Sequence, residues 1–372
     1  MILSEIYGRE PINGYRSGHG VEEGLPLPNL LVGIELEIEN FRAVEGEQVF
    51  GGFRFTTDGS LRHSEKGIGI EAISRPVAIK HLRKLLNAFF GKFNITSENY
   101  TERCSTHIHV NIDDLTVQQI ACLCLVYQTA ERLLFTFIGE DRDKNIFCVP
   151  WNQSNLSYNI VSKIVDGEAP SSFKRWQKYS AMNLIPAATQ GSLEFRHLGG
   201  TCDLDKIMNW VCIIAKMVEY ATKVDLTEAK AHILQMNTVS NYYEWMNMVF
   251  GRYAPLLQVD KFEAALSSGV IDSKLMLIKE TPNAAAAWRQ MIEETNILRG
   301  WDAVPAAPRA EVFARHPGRD PIIRTTNPRV RVIPNQLTPQ QVLDRRLQQL
   351  DDEAEHALQA ERENPDEEEG SF

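Results

Sequence analysis

The chain is poor in the usual marks of enzyme chemistry, and each missing one closes a class. No GxxxxGK(S/T) is present, so no P-loop holds a nucleotide's phosphates, and no GxGxxG follows a strand, so no dinucleotide fold is indicated. There is no GxSxG elbow and no HExxH helix. No apolar run reads as long enough to span a bilayer, and Met1 to Glu10 lacks a signal-peptide pattern. Cysteine is scarce: six residues and no CxxC pair suggest reduced thiols in a cytoplasm. A cationic surplus is missing too. The net charge is −10, but eleven acids against three arginines between Asp344 and Glu369 account for most of it, so the body is near neutral. That gives no case for a nucleic-acid surface. No internal repeats are found.

The 372 residues, 43% hydrophobic and 9% aromatic, suffice for a sizeable core in one large domain with extensions or in two. The stretch that organises the rest is Leu31-Val32-Gly33-Ile34-Glu35-Leu36-Glu37-Ile38-Glu39-Asn40. Ile34, Leu36 and Ile38 alternate with Glu35, Glu37 and Glu39, so a strand here has one aliphatic face and one row of carboxylates. Like charges two apart on one strand face repel unless a cation lies between them. Either this is a solvated edge strand, or the face holds divalent metal, whose magnesium and manganese forms take carboxylate oxygens.

Residues 1–29, rich in Gly and Pro, read as an irregular arm. After the glutamate strand, Phe50 to Phe55 is an apolar segment running into an Asp58-Gly59 turn signal. Gly67 to Ser74 is a strand carrying one acid, Glu71, and ending at Pro76. Val77 to Phe90 reads as an amphipathic helix with Leu82, Leu85, Leu86 and Phe89 on one face. The second loaded strand, Cys104 to Ile112, puts His107 and His109 on one face and Ile108 and Val110 on the other. Leu115 to Ile138 is a long apolar helix, with Cys122 and Cys124 as core residues. Lys178 to Leu184 and Gly191 to Leu198 read as two strands joined by a turn after Pro186, Glu194 and Arg196 sharing one face of the second. Left on a surface, that ion pair contributes only ~0–1 kcal/mol. Asp203 to Ala221 is an apolar helix with an acid at its positive end. Helices at Thr227–Met236, Asn241–Phe250, Asp260–Ser267 and Asn283–Leu298 form a covering layer.

Residues 305–340 are a Pro- and Arg-rich linker. In residues 341–372, Leu343, Leu347, Leu350, Ala354 and Leu358 share a helical face, a self-association or docking helix within 341–360, followed by an acidic tail.

The polar strand faces thus supply Glu35, Glu37, Glu71, His107, His109, Glu194 and Arg196. Carboxylates from three strands plus imidazole suit more than one divalent cation, and an arginine beside them suits a phosphoryl group bound there. Two other classes stay open. A zinc-dependent hydrolase would use His107-x-His109, but the remaining histidines show no matching spacing. A non-catalytic binding or assembly protein would keep the fold without turnover.

Gly33-Ile34-Glu35-Leu36-Glu37, Glu71-Ala72-Ile73-Ser74-Arg75-Pro76, Thr106-His107-Ile108-His109-Val110, Lys178 to Leu184 and Ser192-Leu193-Glu194-Phe195-Arg196 with Gly200-Thr201 occur in that order. Over roughly residues 30–225 the chain resembles the amidoligase family, within the carboxylate–amine ligase superfamily that includes glutamine synthetase and glutamate–cysteine ligase. The resemblance implies an α+β catalytic domain over 30–304, a glutamine synthetase-like curved antiparallel sheet with helices on its outer face. It implies an ATP-dependent C–N (amide) ligase using Mg2+ or Mn2+, in which an acyl phosphate formed from a carboxylate is displaced by an amine. By position Glu35, Glu37, Glu71, His107 and Glu194 match metal ligands. His109 would lie near the ATP phosphates, and Arg196 matches the arginine that stabilises the transferring phosphoryl group. Lys178 fits a basic catalytic position, and Arg142 with Asn145 resembles an Arg-x-x-Asn loop that contacts phosphate or substrate. The implied partners are small-molecule or peptide carboxylates and amines, in a bacterial or phage setting; phosphorylation that stops short of amide formation suits the same residues. The chain departs from the family at Cys104-Ser105-Thr106, where Cys-Gly is usual; a residue other than glycine restricts the backbone there.

Overall fold

The alternation of Ile34, Leu36 and Ile38 with three glutamates makes a strand, β1, from Leu31 to Phe41. It is the centre of the sheet rather than its edge. The structure, a computed structural model, describes residues 1–10, 25–42, 49–139, 142–153, 160–164, 168–258 and 262–278. The chain divides into two compact units, residues 1–295 and 296–372. The second unit, and with it the expected linker, docking helix and acidic tail, lies outside the described residues, as does the helix expected at Asn283–Leu298.

Where the sequence shows only an irregular arm, Leu3–Ile6 forms a helical turn, α1. It is tied down: Leu3 N donates to Leu115 O at 2.9 Å, and Arg9 Nη2 meets Asp113 Oδ1 at 2.6 Å. The Phe50–Phe55 segment is not one run but a hairpin, β2 (Val49–Phe50) and β3 (Phe53–Thr56). Gly51 and Gly52 form its two-residue turn, both at positive φ, the backbone such turns require. β4 (Ile68–Ser74) and β5 (Val77–Ala78) follow, so the expected helix starts later, as α2 (Ile79–Phe93). β6 (Ser105–Asn111) carries the two histidines, and α3 (Val117–Ile138) the long apolar run. Short helices α4 (Ile160–Lys163) and α5 (Ala169–Lys174) lead to β7 (Met182–Asn183). The expected turn after Pro186 is a helix, α6 (Ile185–Thr189), with the proline in its first turn, where its missing N–H costs nothing. β8 (Ser192–Gly199) precedes α7 (Leu204–Lys223), α8 (Leu226–Gln235), α9 (Val239–Phe250), α10 (Ala254–Leu257) and α11 (Phe262–Ile278).

The strand order is β2-β3-β4-β1-β6-β8-β7, with β5 also on β1, and every pairing between these strands is antiparallel. With helices covering one face, the class is α+β. That face is dry: Ile34, Leu36, Ile38, Ile108 and Phe195 are fully buried. Each such side chain contributes roughly 1.5–3 kcal/mol by leaving water. Phe53 lies 4.4 Å from Phe89 of α2, their rings tilted by 37°, and Phe195 lies 6.4 Å from Trp210 of α7. Asp203 caps α7, accepting from the backbone N of Asp205 and Lys206, as an acid at a helix start does. By length and composition α3 is apolar enough to cross a bilayer, which the expectation from apolar runs missed. Yet 83% of its most apolar stretch is buried inside this structure, under β8, α7, α8 and α11.

Two irregularities aim the polar face. Between Ile38 and Phe41 the register of β1 shifts, and Asn40 takes a left-handed φ of 54°. In β8, Phe195 pairs with Ile108 but Leu198 with Thr106, so Arg196 and His197 together oppose His107. Such a bulge re-aims side chains: Arg196 bonds Glu194 on the polar face, while His197 lies among Phe135, Tyr127 and Trp210.

Candidate metal and phosphoryl-transfer site

Antiparallel pairing sets the residues of the polar face in rows. Glu35 stands opposite His107 on one side and Ile73 on the other, with Arg54 beyond Ile73. Glu37 stands opposite Glu71, and Glu71 opposite Thr56. Gly33 faces His109, which faces Glu194, which faces Asn183. Paired residues share a face, so chain segments far apart in sequence converge on one surface.

The four glutamates and two histidines singled out on the strand faces cluster there, with Arg196 beside them. His107 Nδ1 is 3.3 Å from both Glu35 Oε2 and Glu194 Oε1, and its Nε2 is 3.7 Å from Glu37 Oε1. His109 Nε2 is 3.1 Å from Glu35 Oε1, and its Nδ1 is 3.2 Å from Ser192 Oγ. Glu71 completes the set through Glu35 and His107. Arg196 donates through Nη1 to Glu194 Oε1 and through Nε to Phe147 O at 2.9 Å. Far from being a surface pair, both residues are buried. Its Nη2 has no bond to a described residue.

Glu39 does not join. Its carboxylate accepts from Arg62 N at 2.7 Å and from Thr101 Oγ1 at 3.0 Å, so the third glutamate of β1 latches two loops. Arg142 is buried behind β8, where Nε donates to His197 O and Nη2 to Ser105 Oγ and Arg196 O, 3.0–3.1 Å. It braces the bulge that aims Arg196. Ser105, the departure from Cys-Gly, is thus a hydrogen-bond partner. Asn145 Oδ1 accepts from Phe147 N at 2.8 Å, closing the loop whose carbonyl holds Arg196. Lys178 borders a cleft of about 190 Å³ with Glu37, Asp58, Arg103, Tyr179 and Arg196.

The electrostatics follow from crowding. Burial, then the charge of Glu35, pushes Glu71 up to about 7. Glu35 goes the other way from what crowding alone predicts. Burial opposes its ionisation, but hydrogen bonds from His107 and His109 outweigh it and hold the carboxyl well below the usual range. His109 rises correspondingly: burial disfavours its charge, and Glu35 overrides that.

Three sets of donors each fall within 4.8 Å: Glu35, Glu71 and His107; Glu35, His109 and Glu194; and Glu37, Asp58 and Glu71. The donors are mainly carboxylate oxygens, which fits hard divalent ions, and the overlapping sets fit more than one. Asp58 went unrecognised in the sequence because Asp-Gly reads as a turn; its Oδ1 does accept from Ser60 N at 2.6 Å. Asn183, whose Nδ2 donates to Glu194 Oε2 at 2.7 Å, carried no sequence signal for that role.

A second cleft, about 500 Å³, opens on the other side of the cluster. Leu31, Gly33, Ile34 and Glu35 of β1 and His109 line it, whereas Glu37 lines the smaller one. His109 therefore lies away from Lys178.

Residues 34–218, just under half of the chain, match the family described as "Putative amidoligase enzyme". The match spans β1 to α7 and includes every residue of the cluster, and it supports a ligase-type function. No curated protein matches the chain.

Proposed function

We propose that the protein is an ATP-dependent carboxylate–amine ligase of the glutamine synthetase-like superfamily, working with magnesium or manganese. One observation carries this reading: four glutamates from three strands enclose His107 on a single face, beside an arginine whose orientation is fixed. Transfer of the γ-phosphoryl group of ATP to a carboxylate oxygen gives an acyl phosphate and ADP. An amine nitrogen then attacks the acyl carbon, the C–O bond to phosphate breaks, and the nitrogen loses a proton. This chemistry asks for positioning and charge neutralisation more than for a protein nucleophile.

Glu35, Glu37, Glu71, His107 and Glu194 would hold the ions, with Asp58 as a further ligand. When bound, divalent ions neutralise the phosphate oxygens. Arg196 keeps Nη2 for a phosphoryl oxygen, a charge-assisted bond in fixed geometry. Lys178 adds a mobile positive charge on the same side. His109, held between Glu35 and Ser192, belongs with the larger cleft, the side left for acid and amine.

The test is release of ADP and phosphate from ATP against a panel of acids, peptides and amines, for wild type and Glu194→Gln. Acid-dependent release that requires magnesium or manganese and disappears in the variant is expected. Tight metal binding with no nucleotide turnover in any mixture would overturn the reading in favour of a binding protein.

A further inference from the structure

The larger cleft has a chemical asymmetry that the metal cluster does not explain. Gly33, on the same strand face as Glu35 and opposite His109, lines it and presents no side chain of its own there. Its walls are largely apolar, from Leu31, Val49, Ile73 and Pro76. Its deep end is Glu35 and His109. Its rim carries Arg54 and Arg75, both exposed, neither with a carboxylate or carbonyl partner among the described residues. Arg75 is nevertheless placed: its backbone N donates to Gly52 O at 2.7 Å, and its side chain lies over Gly52, where a Cβ would come within 3.0 Å of Nε. Arg54 occupies the same cross-strand row as Ile73 and Glu35, two strand spacings or roughly 10 Å from Glu35.

We infer that this cleft takes an acid with two anionic ends: the reacting carboxylate beside Glu35 and His109, an apolar stem across Ile73, and a second carboxylate on Arg54 and Arg75. Two guanidinium groups facing an apolar channel select a carboxylate, which they pair with in planar geometry, over a neutral amide of the same size. The assignment of the inner end rests on the ligase reading; the assignment of the outer end rests on the two arginines alone. Peptides ending in an acidic residue meet the same requirement as free dicarboxylic acids.

The experiment is calorimetric titration of the full chain with succinate, glutarate, adipate and pimelate and with the monoamide of each. Wild type is compared with Arg54→Gln and Arg75→Gln, with unchanged melting temperature as the check on folding. At least one diacid should bind wild type roughly tenfold or more tightly than its monoamide, a charge-assisted pair's worth of affinity. Each arginine variant should lose that preference. Diacid and monoamide binding wild type equally, an undiminished preference in both variants, or no binding of any diacid would overturn the inference. Magnesium–ATP turnover is read separately. Turnover with monoacids and unaffected by the arginines leaves the ligase standing and the cleft assignment fallen. Arginine-dependent diacid binding without any turnover does the reverse.

Discussion

Glu37 and Glu71 face each other directly across the β1–β4 ladder, a like-charged pair at the centre of a sheet. Like charges in that position destabilise a strand pairing. A carboxyl that folding raises, as Glu71 is raised from 4.5 to about 7, contributes its full stability below 4.5 and loses it as pH climbs through 7. Glu71 is part-exposed, so screening reduces the loss to about 1–2 kcal/mol. Glu71→Gln should therefore raise the metal-free melting temperature at pH 8 and leave it unchanged near pH 4. Magnesium or manganese, binding only the folded state, should stabilise wild type by about 2.7 kcal/mol at a hundredfold excess over Kd. The variant should respond far less. Melting curves with and without the ions decide it; a wild type indifferent to both removes the metal site.

Asn183 orients Glu194. Its amide donates to Oε2 while Arg196 holds Oε1, so both carboxylate oxygens are fixed before any ligand arrives. Partners of this kind typically carry a 10–100-fold effect on metal affinity. Asn183→Ala should weaken manganese binding, followed by electron paramagnetic resonance, by roughly that factor. Asn183→Asp, which sets a second anion against Glu194, should weaken it further unless it becomes a ligand itself. Equal affinity in wild type and both variants would show that Glu194 needs no support.

Much of this face was legible because strand periodicity is local. Glu35 with Glu37, and His107 with His109, could be assigned to one side by counting in twos. What brings Glu35 to His107 is the pairing of β1 with β6, 72 residues apart, and no local pattern encodes it. The family resemblance bridged that gap for the ligand candidates. It also set Glu39 apart from Glu35 and Glu37, which the alternation alone could not do, since the shift at Asn40 leaves no mark in it. Contacts between distant segments were also hidden: nothing local in Asp58-Gly59 places Asp58 beside Glu37 and Glu71, and nothing local in Arg142 shows its bonds to Ser105, Arg196 and His197.

Ser105 stands where the family resemblance implies glycine, and its hydroxyl accepts from Arg142 Nη2 at 3.0 Å. Ser105→Gly removes that bond, worth about 1 kcal/mol, and adds backbone freedom in a strand, about 0.5–1 kcal/mol more. A urea midpoint lowered by their sum is expected. A variant as stable as wild type would mean that water replaces the hydroxyl.

His197 gives the chain an acid-sensitive point on the dry side of the sheet. It is fully buried, its Nδ1 has no hydrogen-bond partner among the described residues, and its Nε2 is 3.0 Å from Tyr127 Oη. Burial, reinforced by the charge of Arg142, lowers it from 6.5 to about 3. The folded state therefore holds it neutral while the unfolded chain protonates it below 6.5. Its contribution is fully present above 6.5 and is lost as pH falls from there toward 3, on the order of a few kcal/mol. His197→Phe keeps the ring contacts, 5.1 Å to Trp210 and 4.8 Å to Phe135, but gives up the Tyr127 bond. At pH 7 it should be less stable by about 1 kcal/mol. Between pH 6.5 and 4 its urea midpoint should fall less steeply than that of wild type, so the two curves converge on acidification. Parallel curves would place the acid sensitivity elsewhere, and a His197 imidazole signal that titrates near 6.5 in the folded protein would show that the ring is not held neutral.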